Sequence, residues 1–265
     1  MISHLSELFE HYYLKGSRIK EQYQVIRILG KGSYGIAYLA NDLRTNKKVV
    51  VKQQKKRRLK RKKNLLANEG YILKSLSHYA IPEFIDLFHY NHNLFLVMDY
   101  IEGKNVEELI FYEGKTFTEK ESFHLVLKIL YVLKYLHENQ IAHRDIRLPN
   151  ILLNGDEVFI IDFGLAVFKN PDGNEVMNEE YSQKNRIYHE KTYTSDFYDI
   201  GHFLLFLLYS NYQPKKKEET SWEEELTLDD QTRKIIRKLL NIDSNYENIQ
   251  EIIADIHSYL KKETK

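Results

Sequence analysis

The sequence predicts an α+β chain of two lobes, an antiparallel sheet with one main helix followed by a mainly helical lobe. The first sign is short apolar runs with strand alternation, Gln24–Leu29, Ile36–Ala40 and Lys48–Gln53, separated by turn residues. The second is a switch to helical apolar spacing after Asp99-Tyr-Ile-Glu-Gly103. The third is composition. At 265 residues and 43% hydrophobic content the chain can bury a sizeable core, which excludes global disorder.

Each element follows in order. Residues 1–22 read as a helical extension, because Leu5, Leu8, Phe9 and Tyr12 recur at helical spacing. From Tyr23 the strands form a meander, with polar turn material over Asp42–Lys48. Asn64 is a candidate cap for a helix carrying Leu66, Ile72, Leu73 and Leu76 on one face. Two more strands are expected near Phe84–Phe88 and Leu94–Met98. The first lobe therefore covers 23–98, a hinge 99–103, and the second lobe 104–265. Within the second lobe, helices are expected over 123–137, 195–209, 230–241 and 248–261. The almost wholly apolar 195–209 belongs at its core.

Cysteine is absent, which excludes disulfides, Cys-ligated zinc and thiol catalysis. The longest strongly apolar run, Phe203–Leu208, is too short to span a bilayer. The first ten residues lack the basic-then-apolar pattern of a signal peptide. A cytoplasmic location is the expectation. Net charge is +1, unevenly placed: Lys55–Lys63 holds eight of the 39 basic residues, leaving 31 Lys and Arg against 38 acids. This strip has two readings, a solvated loop or a docking surface for nucleic acid, ribosome or an acidic protein.

The chemistry concentrates in His143-Arg-Asp-Ile-Arg-Leu-Pro-Asn150. Asp145 supplies a carboxylate able to take a proton, Asn150 a neutral oxygen able to hold a metal ion, and Arg147 a cation between them. That set suits phosphoryl transfer, where positioning and charge do most of the work. Ile151–Leu153 and Val158–Ile161 read as strands joined through Asn154-Gly155, a strong hairpin signal. A hairpin brings its ends together, so Asn150 and Asp162 become neighbours, an oxygen-rich pair suited to Mg²⁺. Upstream stands Gly30-Lys-Gly-Ser-Tyr-Gly35. A dinucleotide-binding fingerprint would need a helix to begin at those glycines, whereas strand, turn and strand follow. Lys52 ends a very apolar strand. Glu69 shares the apolar face of the next helix, a place for an acid partner, the alternative being a solvated acid.

Taken together and in order, these segments and Asp162-Phe163-Gly164 resemble the eukaryotic-type (Hanks-type) protein kinases found in bacteria and eukaryotes. The resemblance covers roughly residues 23–260. It implies a bilobal protein-kinase-like fold, ATP and Mg²⁺ as cofactors, and a protein substrate. Asp145 would be the catalytic base, and Asn150 and Asp162 the metal ligands. Lys52 would bridge the phosphates to Glu69, and Arg147 would stand where Ser/Thr kinases usually carry lysine. Gly30, Gly32 and Gly35 would cover the phosphates. Leu29, Ala37, Val50 and Leu152 would enclose adenine, with Met98 as gatekeeper and Asp99 and Ile101 meeting the adenine edge. Leu73, Leu87, His143 and Phe163 would form the regulatory spine above Asp196, with Gly164 completing the metal motif and Arg144 as the phosphate-docking cation.

The sequence departs from the family in two places. The A-P-E motif is missing: aligning Glu180-Tyr181 puts Ser182–Asn185 in its place, and no Arg stands around Ser244–Glu247 to pair with its acid. Residues 165–180 contain no Ser, Thr or Tyr, so the usual loop phosphosite is absent. Asp172, Glu175, Glu179 or Glu180 is expected to pair with Arg144 in its stead. Two alternatives to a Ser/Thr protein kinase stay open: a kinase-fold phosphotransferase acting on a small molecule, which the missing A-P-E favours, and an ATP-binding scaffold.

Overall fold

The computed structural model describes residues 12–32, 35–54, 65–169, 175–176, 193–213 and 220–262. The expectations placed on Leu5, Leu8, Phe9, Lys55–Lys63, Asn64, Asp172 and 179–185 lie outside the described residues. The chain divides into two compact units, Met1–Glu102 and Gly103–Lys265.

The first unit holds strands β1 (Arg18–Ile19), β2 (Tyr23–Lys31), β3 (Gly35–Asp42) and β4 (Lys47–Gln54), helix α1 (Leu65–Ser75), and strands β5 (Phe84–Tyr90) and β6 (Asn93–Asp99). They form one antiparallel sheet in the order β1-β2-β3-β4-β6-β5. The β5–β6 hairpin turns on Asn91 and His92, both with positive φ, between the paired Tyr90 and Asn93. Two left-handed residues give the turn whose twist matches the strands.

Both faces of this sheet are covered, which is why central β4 reads Val49-Val-Val51 without alternation. Helix α1 covers one face. Its Leu66, Ile72 and Leu73 are buried, and Gly70 lies so close that a Cβ would meet Leu87 and Leu96 methyls at 3.3 Å. The other face carries Tyr23, Val25, Tyr38, Val49, Val51, Phe88 and Phe95, packed with Tyr13 and Ile19. Rings dominate it: Phe88 stacks on Phe95 at 5.5 Å and on Tyr23 at 5.9 Å, while Tyr13 stands edge-on to Tyr38 and Phe95. This corrects the helical extension for its described part. Residues 12–22 contain a turn and strand β1, with no helix. Gly16 takes φ 86° and its N–H donates to the Val25 carbonyl, so the chain turns and lies along β2. Burying Tyr13 and Ile19 against the sheet outweighs local helical spacing.

The second unit opens with β7 (Lys104–Asn105) and α2 (Val106–Phe111), followed by the long α3 (Glu119–Glu138) and β8 (Ile141–Ala142). Next come β9 (Ile151–Asn154), β10 (Glu157–Ile160), β11 (Val167–Lys169) and β12 (Glu175–Val176), then α4 (Thr194–Tyr209), α5 (Trp222–Glu225), α6 (Asp230–Leu239) and α7 (Ile249–Lys262). Helix α3 starts four residues before the expected Phe123 because Thr118 and Glu121 form a capping box. Helix α4 is the core element, burying Phe197, Ile200, Phe203, Leu204 and Leu207. Helix α6 approaches it at Gly201, where a Cβ would lie 2.9 Å from the Leu240 side chain. Two three-stranded sheets, β10-β9-β7 and β12-β11-β8, present the loops that carry the chemistry. Among the described residues no helix is long and apolar enough to cross a membrane.

Candidate active site

In the first unit the sheet register sets the positions. Ala37 pairs with Lys52 and Lys52 with Leu96, while Val50 pairs with Met98. Directly paired residues point to the same side. Ala37, Val50, Lys52 and Met98 therefore share the face on which α1 packs. From α1, Glu69 reaches Lys52, with Nζ to Oε1 at 2.6 Å and side chains 21% and 3% exposed. Glu69 is thus a buried ion-pair partner and no solvated acid. Gly35 is required by the chain itself, since a Cβ there would lie 2.2 Å from the Gln53 carbonyl oxygen. Gly30 and Gly32 are different: within 4 Å of their Cβ positions the space is open. Nothing in the described packing demands glycine there, and although the Gly32 N–H donates to the Gly35 carbonyl and Gly30 pairs with Ala37, the open space beside both leaves room for a ligand. At the end of β6, the Asp99 carboxyl is raised by burial and by nearby Glu83, and its N–H donates to the Glu83 carbonyl.

In the second unit the loop 143–150 is held by a dense set of hydrogen bonds. Asn150 Nδ2 donates to the Asp145 backbone oxygen at 2.9 Å and to its Oδ2 at 2.8 Å. Arg147 Nε lies 3.1 Å from Oδ1 of the same carboxylate. With both Asn150 donors engaged, its Oδ1 is the atom left to accept or ligate. The hairpin β9–β10 pairs Ile151 with Ile160, and the Ile161 N–H donates to the Asn150 carbonyl at 2.9 Å. Asp162, one residue on, thus stands beside Asn150. Asp162 and Arg144 adopt φ 68° and 66°. Side chains in this left-handed region cost about 1–3 kcal/mol, which surrounding structure must offset.

Asp196, wholly buried on α4, supplies that support for Arg144. Its carboxylate accepts from the His143 N–H at 3.0 Å, the Arg144 N–H at 2.7 Å and His137 Nε2 at 2.8 Å. Burial pushes its pKa up, but these donors outweigh burial and hold the carboxyl below its ordinary range. His143 sits edge-on to Phe163 at 4.8 Å, and burial keeps its imidazole below the usual pKa against Asp196, Asp162 and Asp145. One turn along α4, Asp199 accepts from the Ile146 N–H at 3.2 Å.

Of the expected second-unit residues, the structure brings together His143, Arg144, Asp145, Arg147, Asn150, Asp162, Phe163 and Asp196. Leu152 lies in β9, paired with Asn105 and Phe159. Leu73 and Leu87 belong to the first unit, one buried on α1 and the other in β5 beside Gly70. The pairing of Arg144 with an activation-segment acid falls mainly outside the described residues, with only the backbone of Glu175 described, in β12. Three supports were missed from sequence: His137, Asp199 and Arg237. Arg237 on α6 pairs with Glu223 at 2.5 Å and with Asp243, tying α5 to the loop after α6. A helical periodicity reading treats each of them as an ordinary surface or end-of-helix polar residue, so no local signal marks them.

Residues 23–264 match the protein kinase domain family. The chain belongs to the protein kinase family. Among similar proteins is the Bacillus subtilis protein "Probable serine/threonine-protein kinase YbdM", 36% identical over 97% of this chain and 96% of that protein. Serine/threonine-protein kinase B of Synechocystis is 27% identical over 89% of this chain and 46% of its own length. Calcium-dependent protein kinase 4 of Plasmodium falciparum is 34% identical over 61% of this chain and 32% of its own length. The bilobal α+β protein-kinase fold expected from the motifs is thus the fold of this kinase.

Proposed function

We propose that this kinase transfers the γ-phosphate of ATP, with Mg²⁺, to a Ser or Thr hydroxyl of a protein. The observation that carries the reading is the Asp145 carboxylate, fixed through both oxygens by Asn150 and Arg147 beside Asp162. Asp145 orients the acceptor hydroxyl and takes its proton as the oxygen attacks the γ-phosphorus; the β–γ bridging P–O bond breaks and ADP leaves. Asn150 Oδ1 and the Asp162 carboxylate are oxygen donors, the type Mg²⁺ prefers, so the residues fit the metal. When bound, Mg²⁺ neutralises phosphate charge. Arg147 adds a planar cation whose terminal nitrogens extend beyond its Nε bond to Asp145. From the first unit, Lys52, held by Glu69, meets the α/β-phosphates, and Gly30, Gly32 and Gly35 cover them without side-chain obstruction. Leu29, Ala37, Val50, Met98, Asp99 and Ile101 serve the adenine, with Leu152 from the second unit. The Ser/Thr acceptor is supported by the names of the relatives.

The test is incubation of the purified chain with Mg²⁺, γ-labelled ATP and a generic protein acceptor, beside Asp145→Asn. Label on Ser or Thr in the wild type and its loss in the variant are expected. Equal label in both excludes Asp145 as the base, and no label in either favours a small-molecule acceptor or a scaffold. For the strip Lys55–Lys63 the proposal is an anionic partner, supported by its eight cations in an otherwise acidic chain. Partner binding that ignores salt concentration would remove that reading.

A further inference from the structure

The catalytic loop hangs on Asp196, and the Asp196 carboxylate is oriented in part by His137. What orients His137 is Tyr193. The two rings stack with centroids 4.0 Å apart at 25°, and the Tyr193 hydroxyl donates to the His137 carbonyl at 3.1 Å. Tyr193 therefore grips His137 by ring and by backbone, while Phe197 meets the imidazole at a tilt, 5.8 Å away. Tyr193 is itself fixed from below, since its carbonyl accepts from the Asp196 and Phe197 N–H groups in the first turn of α4.

Over the Tyr193 ring lies the ammonium of Lys169, 4.9 Å from the centroid. Lys169 is unusual in being 5% exposed. Lysine is seldom buried unless something holds its charge, and a cation–π contact strengthens as water is removed. Its backbone is pinned as well, with the N–H donating to the Gln140 carbonyl at 2.7 Å, three residues past His137. Lys169 ends β11 and Tyr193 precedes α4, so the contact joins the two ends of the stretch 170–192.

We propose that Lys169, Tyr193 and His137 form a latch that positions the catalytic loop. Lys169 fixes the Tyr193 ring, the ring fixes the imidazole, and the imidazole orients the carboxylate that holds the His143 and Arg144 amides. Lys169 and Tyr193 are positioning residues that act through others on Asp145. This inference rests on Asp145 as the base only where activity is the readout.

Two arms test it in the full chain. In the first, Lys169→Met, Lys169→Arg, Tyr193→Leu and the double Lys169→Met/Tyr193→Leu are assayed for kcat and for KM of ATP. The expected result is an about ten-fold fall in kcat for Lys169→Met and for Tyr193→Leu with KM little changed, equivalent to about 1.4 kcal/mol of barrier. Lys169→Arg recovers most of the rate, and the double is no worse than the poorer single, the mark of residues acting as a unit. In the second arm, hydrogen exchange at the His143 and Arg144 amides is measured for the same substitutions in the Asp145→Asn background, independently of activity. Exchange about ten-fold faster at both amides is expected. If Lys169→Met or Tyr193→Leu does not fold, Tyr193→Phe, which loses only the hydroxyl bond, is read by the same exchange, with an expected rise of about three-fold. Unchanged exchange at the two amides in folded variants, or additive losses in the double, overturns the latch. A wild-type chain without phosphoryl transfer counts against the proposed function and leaves the exchange arm intact.

Discussion

Removing Lys52 should cost more stability than neutralising Glu69. The pair lies at 2.6 Å, and at an effective dielectric near 20 its attraction is about 6 kcal/mol before desolvation. Desolvation offsets part of this. What decides the order is the asymmetry of burial, 3% exposure for Glu69 against 21% for Lys52. Lys52→Met takes the lysine from a carboxylate deep under α1, a loss of about 3–5 kcal/mol. Glu69→Gln leaves an ammonium that reaches water and an amide oxygen that still accepts a hydrogen bond, a loss of about 1–2 kcal/mol. Urea titration followed by circular dichroism measures both, and the Lys52→Met midpoint should fall further with the slope unchanged. Equal losses, or a larger loss for Glu69→Gln, would refute the reasoning that burial of the carboxylate sets the cost.

Other outcomes follow from the same geometry. Gly201→Ala drives a methyl to 2.9 Å from Leu240 and 3.0 Å from Leu239, so thermal unfolding should show a loss of about 1–3 kcal/mol. Thr118→Ala removes the capping box of α3, with an expected cost of about 1 kcal/mol by the same measurement. Asp42 is pushed up by burial, but the Arg44 N–H, the Gln22 amide and the Thr45 hydroxyl hold it below its ordinary pKa. Its contribution is therefore complete above about pH 3.9 and lost as pH falls through the lower folded value. Asp42→Asn should lower stability near neutrality, with the gap to wild type closing in acid, which a pH series of melting curves checks. Arg147→Lys loses the Nε bond to Asp145, and kcat should fall about ten-fold with KM for ATP little changed, because lysine is a point charge without the planar fork.

Legibility in the sequence followed the range of the forces. The β9–β10 hairpin was readable because its turn is local. From it came the juxtaposition of Asn150 with Asp162 that the Ile161–Asn150 hydrogen bond displays. Helix α4 was readable to within one residue because its apolar content is so dense. Glu69 was readable because it interrupts an apolar face, and an acid in such a place needs a cation. Residues 12–22 were misread because their fate is settled by rings far along the chain, Phe88 and Phe95, which no local spacing reveals. His137 and Asp199 were invisible for a related reason. Asp199 accepts a backbone N–H of a distant loop, and His137 reaches the Asp196 carboxylate 59 residues along the chain, so neither partner leaves a local trace in the sequence.

The kinase family match begins at Tyr23, yet the first unit does not end its packing there. Tyr13 and Ile19 lie upstream of that boundary and are 6% and 0% exposed. A chain trimmed to the family boundary would therefore keep every expected catalytic group and lose the cover of an aromatic sheet face. Tyr23, Tyr38, Phe88 and Phe95 would meet water together, an apolar patch of the kind that promotes self-association. For this protein the packed first unit begins at least ten residues before the family match does.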